Sequence, residues 1–401
     1  MEKSGTDTGS VTRNRAAGQA KWTFMVYMAG DNNLDGAALR DIAEMARAGS
    51  TKDVNVLVQL DRIEDNLTRR FRITQGGGFK KDCLESFGDT NTGDPKILYD
   101  FVKWSADNYP ADRYALILWN HGSGWWEDAK GRAAGPAEKK SRRRLFNHAF
   151  PQEHRSICYD DTSGGDALDN RELRVVLAGI CALLGRKIDL LGMDACLMNM
   201  VEVAYQLRDS VNVIVGSEIE EPFDGWPYAE ILTRLSAKPN QNAAALARWI
   251  VKSYLLSYKG KDETVTQSAL DVSRIGEMTA KIDALSDALL TSLKADSKLI
   301  EAAWRRSPRF YDDNYIDLAC FTKNLRKKAG IEHRAKADDL LAALKPGKGR
   351  AILRQGKIGR EVRGTCGLSI YFPGDRINSA YRNLDFSEDC KWITFLEKYL
   401  S

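Results

Sequence analysis

The chain has 401 residues, 43% of them apolar, and its 59 Lys and Arg against 55 Asp and Glu leave a net charge of +4. That length and composition can fill one large α/β core with room for a second module, and the near balance of charge argues against a nucleic-acid or anionic-membrane partner. No run of about 18 apolar residues occurs, which excludes a membrane-spanning helix, and the seven scattered cysteines suggest neither a disulfide framework nor a zinc site.

Residues 1–20 are polar and read as a flexible tail. They lack the apolar stretch of a secretory signal, so the expectation is a cytoplasmic protein or one whose leader has been removed. Trp22 to Ala29 reads as a first strand, Leu34 to Ala48 as a helix and Val54 to Leu60 as a second strand, a βαβ unit that calls for a largely parallel sheet. Arg69 to Thr74 and Cys83 to Phe87 look like a marginal hairpin, with Gly76, Gly77 and Gly78 as its turn rather than a nucleotide loop. Pro95 to Asn108 is an amphipathic helix leading into the apolar strand Tyr114 to Trp119, after which come His121 and Gly122. From Glu127 to Arg155 the pattern dissolves into a Gly-, Ala-, Lys- and Arg-rich loop of the length that marks function or disorder. The acidic run Asp160 to Asp166 is oxygen-rich but lacks EF-hand spacing, and turn formation with N-capping accounts for it.

Lys187 to Met200, KIDLLGMDACLMNM, reads as a buried strand, a tight turn carrying Cys196, and a helix resuming at Met198. A thiol just before a helix N-terminus is placed where the helix dipole favours thiolate. Of the four histidines, His121 also follows an apolar strand, and parallel strands present their carboxyl ends on one edge, so His121 and Cys196 are expected to face each other there. His148, His154 and His333 have no such strand context. Further on, Val211 to Ser217 is another strand delivering Glu218 to Trp226 to the same edge. The rest is mainly helical, with strands at Thr264 to Asp271 and Gly364 to Phe372 and a closing helix at Cys390 to Leu400.

Strand-His-Gly followed by strand-Asp-Ala-Cys resembles the caspase-type cysteine peptidases of clan CD. The segments WTFMVYMAGDNNLD, LILWNHGSGW, DLLGMDACLMNMVEVAY and SEIEEPFDGWPY, with GLSIYFP near the end, resemble the clostripain family, C11, in particular. The resemblance implies an α/β fold, a caspase-like three-layer αβα sandwich around a mostly parallel sheet, with a helical C-terminal module. The expected organisation is a tail over 1–20, a catalytic domain over 21–260 containing an activation loop at 127–155, and a C-terminal α/β subdomain over 261–401.

It implies further a Cys/His dyad, Cys196 and His121, cleaving peptides or proteins after Arg or Lys through a thioester, with the Gly122 and Cys196 backbone N–H groups stabilising the oxyanion. An Arg/Lys pocket requires buried carboxylate. Asp194 and Asp224 match acidic positions of the family pattern, although turn formation and helix capping also explain them, and Trp226 is either a pocket wall or structural. An Arg/Lys-specific enzyme would find its own substrate at Lys139, Lys140, Arg142, Arg143 and Arg144, so self-activation by cleavage there is expected, giving a monomer processed to two associated chains. A calcium dependence follows from the resemblance alone, with no ligands assigned. The competing readings are another specificity in the same clan, a catalytically silent caspase-fold binding or scaffolding module, and polyanion binding by the basic run.

Overall fold

The computed structural model describes residues 19–125, 157–311, 313–327 and 330–401. In chain order the elements are β1 (Ala20–Gly30), α1 (Asp35–Ala48), β2 (Val54–Arg62), β3 (Leu67–Arg72), β4 (Cys83–Gly88), α2 (Pro95–Asn108), β5 (Ala111–Trp119), β6 (Ile157–Asp160), β7 (Asp166–Leu168), α3 (Asn170–Leu184), β8 (Ile188–Asp194), α4 (Val201–Gln206) and β9 (Val211–Gly216). They continue with α5 (Tyr228–Ala237), α6 (Ala243–Ser257), β10 (Val265–Asp271), α7 (Ile275–Arg305), β11 (Arg309–Phe310), β12 (Tyr315–Asp317), α8 (Leu318–Arg326), α9 (Ile331–Ala343), β13 (Ile352–Ile358), β14 (Ser369–Tyr371), α10 (Asp385–Asp389) and α11 (Trp392–Leu400).

Nine strands form the central sheet in the order β13-β10-β9-β8-β5-β1-β2-β3-β4. The five central ones, β9 to β2 in that order, run parallel, and antiparallel pairs flank them on both sides. Their near-continuous apolar sequences suit strands covered on both faces, and every residue of β2 and β8 is buried. α1 packs beside α5, and α2 beside α3, completing the three-layer αβα sandwich expected from the sequence. The expected boundary near residue 260 falls in the turn between α6 and β10. Strands from both sides of it share the sheet, and residues from both sides share one core.

Three local readings differ from the sequence expectation. α7 runs unbroken for 31 residues, in a stretch that reads only as mainly helical. The Gly364–Phe372 strand shrinks to Ser369–Tyr371 and joins β11 and β12 in a small separate sheet. β13 takes an edge position that its sequence, ILRQGKI, does not announce, because an edge strand needs little apolar surface.

The C-terminal segment is tied to α4 by a buried carboxyl. Glu202, fully buried, accepts hydrogen bonds from the Tyr371 backbone N–H at 2.9 Å and the Tyr381 hydroxyl at 2.8 Å, and burial pushes it up to about 7 from the usual 4.5. The folded chain therefore holds a proton that the unfolded chain releases, and stability from this group is full at low pH and declines as pH rises from about 4.5 to 7. Glu202→Gln keeps the acceptor without the charge. We expect it to match the wild type near pH 4.5 and to exceed it by on the order of 2–3 kcal/mol near pH 8 in denaturant unfolding. Parallel stability curves for the two proteins across this range would remove the assignment.

Candidate active site

Parallel pairing of β5 and β8 sets Trp119 opposite Asp194. His121 and Cys196 each lie two residues further on, so the pairing carries them abreast off the carboxyl edge of the sheet. The Asn120 N–H donates to the Asp194 carbonyl at 3.2 Å, extending the pairing one step beyond the strands. The two loops then nearly touch: a Cβ on Gly122 would lie 2.5 Å from the Cys196 carbonyl oxygen, closer than real Cβ contacts come. Only glycine lets the His121 loop settle against the Cys196 loop.

The β1 end braces the histidine. Asn32 donates to the Ala29 and Tyr159 carbonyls, both at 2.9 Å, and the Asn120 carboxamide accepts from the Tyr159 N–H at 2.8 Å. This lacing brings Asn33 Oδ1 to 2.7 Å from His121 Nε2. The half-buried imidazole thus has an orienting side chain that the sequence reading did not foresee; the only signal was a polar DNN run at the end of a strand.

Cys196 differs from expectation in its electrostatics. Helix α4 begins at Val201, not at Met198. Leu197 takes φ of 66°, and the Leu197 and Asn199 N–H groups bond to the Ile219 and Ser217 carbonyls at 3.1 and 2.9 Å. The chain therefore runs on as an extended segment before turning helical, which takes the thiol off the helix N-terminus. Cys196 is fully buried, and burial pushes its thiol well above the ordinary range, opposed by one hydrogen bond from the Glu221 N–H at 3.2 Å. In this state it is a thiol, not a thiolate.

Beside it lies a buried carboxyl pair. Asp194 accepts from the Tyr228 hydroxyl at 2.7 Å and the Trp226 N–H at 3.3 Å, and shares a hydrogen bond with the Glu221 carboxyl. Burial pushes Asp194 up to about 6, and burial together with the Asp194 charge drives Glu221 well up, so the pair retains a proton near neutrality. Gln267 donates to Glu221 at 3.3 Å. Gly225, at φ of 52°, passes close enough that a Cβ there would be 3.3 Å from both Asp194 oxygens. The sequence reading did not single out Glu221, although it lies in the EIEEPFDGW stretch that the reading had placed at this edge.

Asp224 stands elsewhere: it is exposed and pairs with Lys261 at 2.8 Å. Trp226 is fully buried and packs against Gly192 of β8. The five basic residues expected as cleavage sites, together with His148 and His154, lie outside the described residues. His333 lies on α9 and meets α7, its Nε2 2.7 Å from the Ser292 hydroxyl. In the acidic run, Asp160 accepts from the Ser163 and Thr92 N–H groups, both at 2.8 Å, and Asp169 caps α3. A separate acidic cluster forms at the ends of β1, β2 and β4, where one carboxylate oxygen each of Asp31, Asp61 and Asp89 lie within 4.8 Å of one another. Burial pushes Asp61 up to about 7.

Comparison with known proteins bears on the family and the fold. Clostripain of Hathewaya histolytica is 32% identical over 252 residues, a match covering 55% of this chain and 43% of that protein; the chain thus spans less than half the length of this relative. Among solved structures, a secreted C11 cysteine protease from Bacteroides thetaiotaomicron with an irreversible peptide inhibitor superposes with a TM-score of 0.66 at 19% identity, covering 93% of this chain and 99% of that one. An inactive zymogen C11 protease from Parabacteroides distasonis gives 0.67 at 21% identity, covering 93% and 98%. The description of the clostripain family matches residues 26–399, nearly the whole chain, and the chain belongs to that family of C11 cysteine peptidases.

Proposed function

We propose that this chain is a cysteine endopeptidase that cleaves after Arg or Lys and that gains activity when the basic loop between its two reacting residues is cut. The observation that carries the reading is the emergence of His121 and Cys196 abreast, with a buried carboxyl pair against the cysteine segment. The Cys196 sulfur attacks the scissile carbonyl carbon as its proton passes to His121. The Gly122 and Cys196 N–H groups face the oxyanion. Collapse breaks the C–N bond, His121 gives its proton to the leaving amine, and a thioester remains. Water then adds with His121 as base, and the thiolate leaves the released carboxylic acid. Asn33 holds the imidazole in place through this cycle.

A guanidinium or ammonium entering beside Asp194 and Glu221 displaces their shared proton and gains charge-assisted hydrogen bonds in a site screened from water. Trp226 and Tyr228 fix Asp194 from behind. Asp224 is a less direct contributor, since Lys261 already neutralises it. The buried, protonated Cys196 is the resting state of an uncut chain, and cleavage within the basic loop at Lys139 to Arg144 is the step that opens it. The same burial also favours a second reading, a silent binding module.

Intact mass of wild type beside Cys196→Ala, with turnover of Arg, Lys and Asp reporters, separates the two. The peptidase reading expects wild type to split within residues 127–155 and to cleave Arg or Lys reporters, while the variant does neither; an intact wild type that is silent on every reporter supports the binding module.

The acid pair makes a pH prediction. Glu221 keeps the pair's proton near neutrality and Asp194 takes up a second one below about pH 6, so kcat/KM on an Arg reporter rises with pH through that region. Glu221→Leu removes the carboxyl hydrogen bond that holds Asp194 down, so the acid limb moves to higher pH, and loss of one charge-assisted contact lowers kcat/KM about ten- to hundredfold. An unmoved limb with undiminished turnover contradicts the pocket assignment. Gly122→Ala, which forces the two loops apart, is expected to lower turnover about hundredfold with the melting temperature held within a few degrees. Wild-type turnover in that variant refutes the close approach as a requirement.

A further inference from the structure

The ends of α7 and α8 and the connection between β13 and β14 enclose a cavity of about 540 Å³, the size of a small-ligand site. Five cations line it, Arg306, Lys323, Arg326, Lys327 and Arg363, and Glu361 is its one acid. A second cavity of about 490 Å³ shares Lys323, Arg326 and Leu341 with the first, adds two more cations, Lys345 and Lys357, and has Asp338 as its acid. Together the two make one trough, with basic side chains brought from segments far apart in sequence. None of its lining residues belongs to the loops that carry His121, Cys196 or Glu221.

Little of this charge is spent on the protein's own acids. Among the described residues only Arg326 of these cations forms an ion pair, with Asp338. Lys323 and Lys357 donate to the Gly364 and Thr365 carbonyls, and Lys327 donates to the Asn324 side chain at 3.4 Å. The exposed side chains of Arg306, Lys345 and Arg363 have no hydrogen-bond partner among the described residues. Basic residues do gather at helix C-termini for a local reason, and α7, α8 and α9 all end here, but each end carries only about half a negative charge. Helix ends and carboxylates together leave an excess of about three positive charges, on a concave wall that concentrates the field.

An excess of that size calls for an anion, and the lining narrows its chemistry. Guanidinium forks and ammonium groups match phosphate oxygens. No aromatic side chain lines either cavity, so a nucleobase has nothing to stack on. The cations are also spread along the trough. Arg306, Lys327 and Arg363 lie in one cavity, Lys345 and Lys357 in the other, and Lys323 and Arg326 in both, which suits linked phosphates better than a single one. We propose that this trough binds a linear polyphosphate anion, and that the anion fastens the β13–β14 connection to the ends of α7 and α8. Anion binding does not depend on the peptidase reading, and none of its readouts is turnover.

The test uses the full-length Cys196→Ala chain, freed of divalent cations so that none competes for the probe, with sodium tripolyphosphate as the probe. Calorimetry in about 0.15 M NaCl is expected to show one-to-one binding at least about tenfold tighter than that of orthophosphate, weakening as salt is raised. Saturating probe should raise the melting temperature by about 3 °C. Hydrogen exchange should slow at residues 359–366 and 323–327 and stay unchanged in α2. Arg306→Gln combined with Arg363→Gln removes two exposed side chains on which no described residue depends, and should weaken binding at least about tenfold. Changing Arg142, Arg143 and Arg144 together to Gln should leave the affinity as it was, which separates the trough from the other basic run of the chain. No binding heat at millimolar probe, or full affinity in the Arg306 and Arg363 variant, overturns the site. Orthophosphate or a hexaglutamate peptide binding as tightly as tripolyphosphate overturns the assignment to linked phosphates, and so does ATP binding more tightly than it. Binding without slowed exchange at residues 359–366 overturns the fastening.

Discussion

Everything at the active edge depends on the parallel pairing of β5 with β8. Hydrogen bonds running from Ala115–Leu190 to Trp119–Asp194 fix the two strands in register, and the next residues continue that register into the loops. A slip of one residue would reverse the face of every side chain beyond it and part His121 from Cys196. The register is protected by burial on both faces, since all of β8 and the inner run of β5 are covered by helices. Gly122 completes it where a side chain would hold the His121 loop off the Cys196 backbone, and Gly225 where a Cβ would press on the Asp194 carboxylate.

The same burial that secures the register works against the chemistry. Cys196, Asp194 and Glu221 all lie out of water, and burial raises each of them, so that the thiol keeps its proton and the carboxyl pair keeps one between them near neutrality. A protonated thiol is a poor nucleophile, and a carboxyl pair that shares a proton awaits a positive partner. In the function proposed above, an uncut chain with these properties is stable and inert together, cleavage between His121 and Cys196 alters that balance, and a basic substrate side chain supplies the charge that the buried carboxyl pair lacks. On that proposal stability and latency share a physical origin, the exclusion of water from the carboxyl edge.

Much of this architecture is legible in the sequence. Apolar runs such as VNVLVQL and YALILW mark buried parallel strands, and His121 and Cys196, each two residues beyond the end of such a strand, emerge abreast because β5 and β8 pair in parallel. Less legible is what depends on neighbours distant in sequence. Asn33 and Glu221 matter through contacts across 88 and 25 residues, and no local pattern distinguishes them from other polar loop residues. The start of α4 was misread because Met198, Val201 and Leu207 keep helical spacing while tertiary pairing with Ser217 and Ile219 holds the first of them extended. The basis for the expected low thiol pKa goes with it. Asp224 and Glu221 lie three residues apart, yet only the fold shows that one is solvated and the other buried. The acidic run that looked most like a cation site, Asp160 to Asp166, spends its oxygens on turn and cross-loop hydrogen bonds, whereas the three carboxylates that converge are contributed by separate strand ends.

The central claim is that Cys196 is the nucleophile and that it is masked until the chain is cut. The most direct measurement treats the intact and the cleaved chain with a peptidyl acyloxymethyl ketone carrying Arg at the cleavage position, then maps the adduct by mass spectrometry. The account predicts stoichiometric labelling of Cys196 in the cleaved chain, competed by an Arg-containing peptide, and little labelling of the intact chain. Equal labelling of Cys196 in both forms would contradict the masking, and an adduct on any of the other six cysteines would contradict the nucleophile.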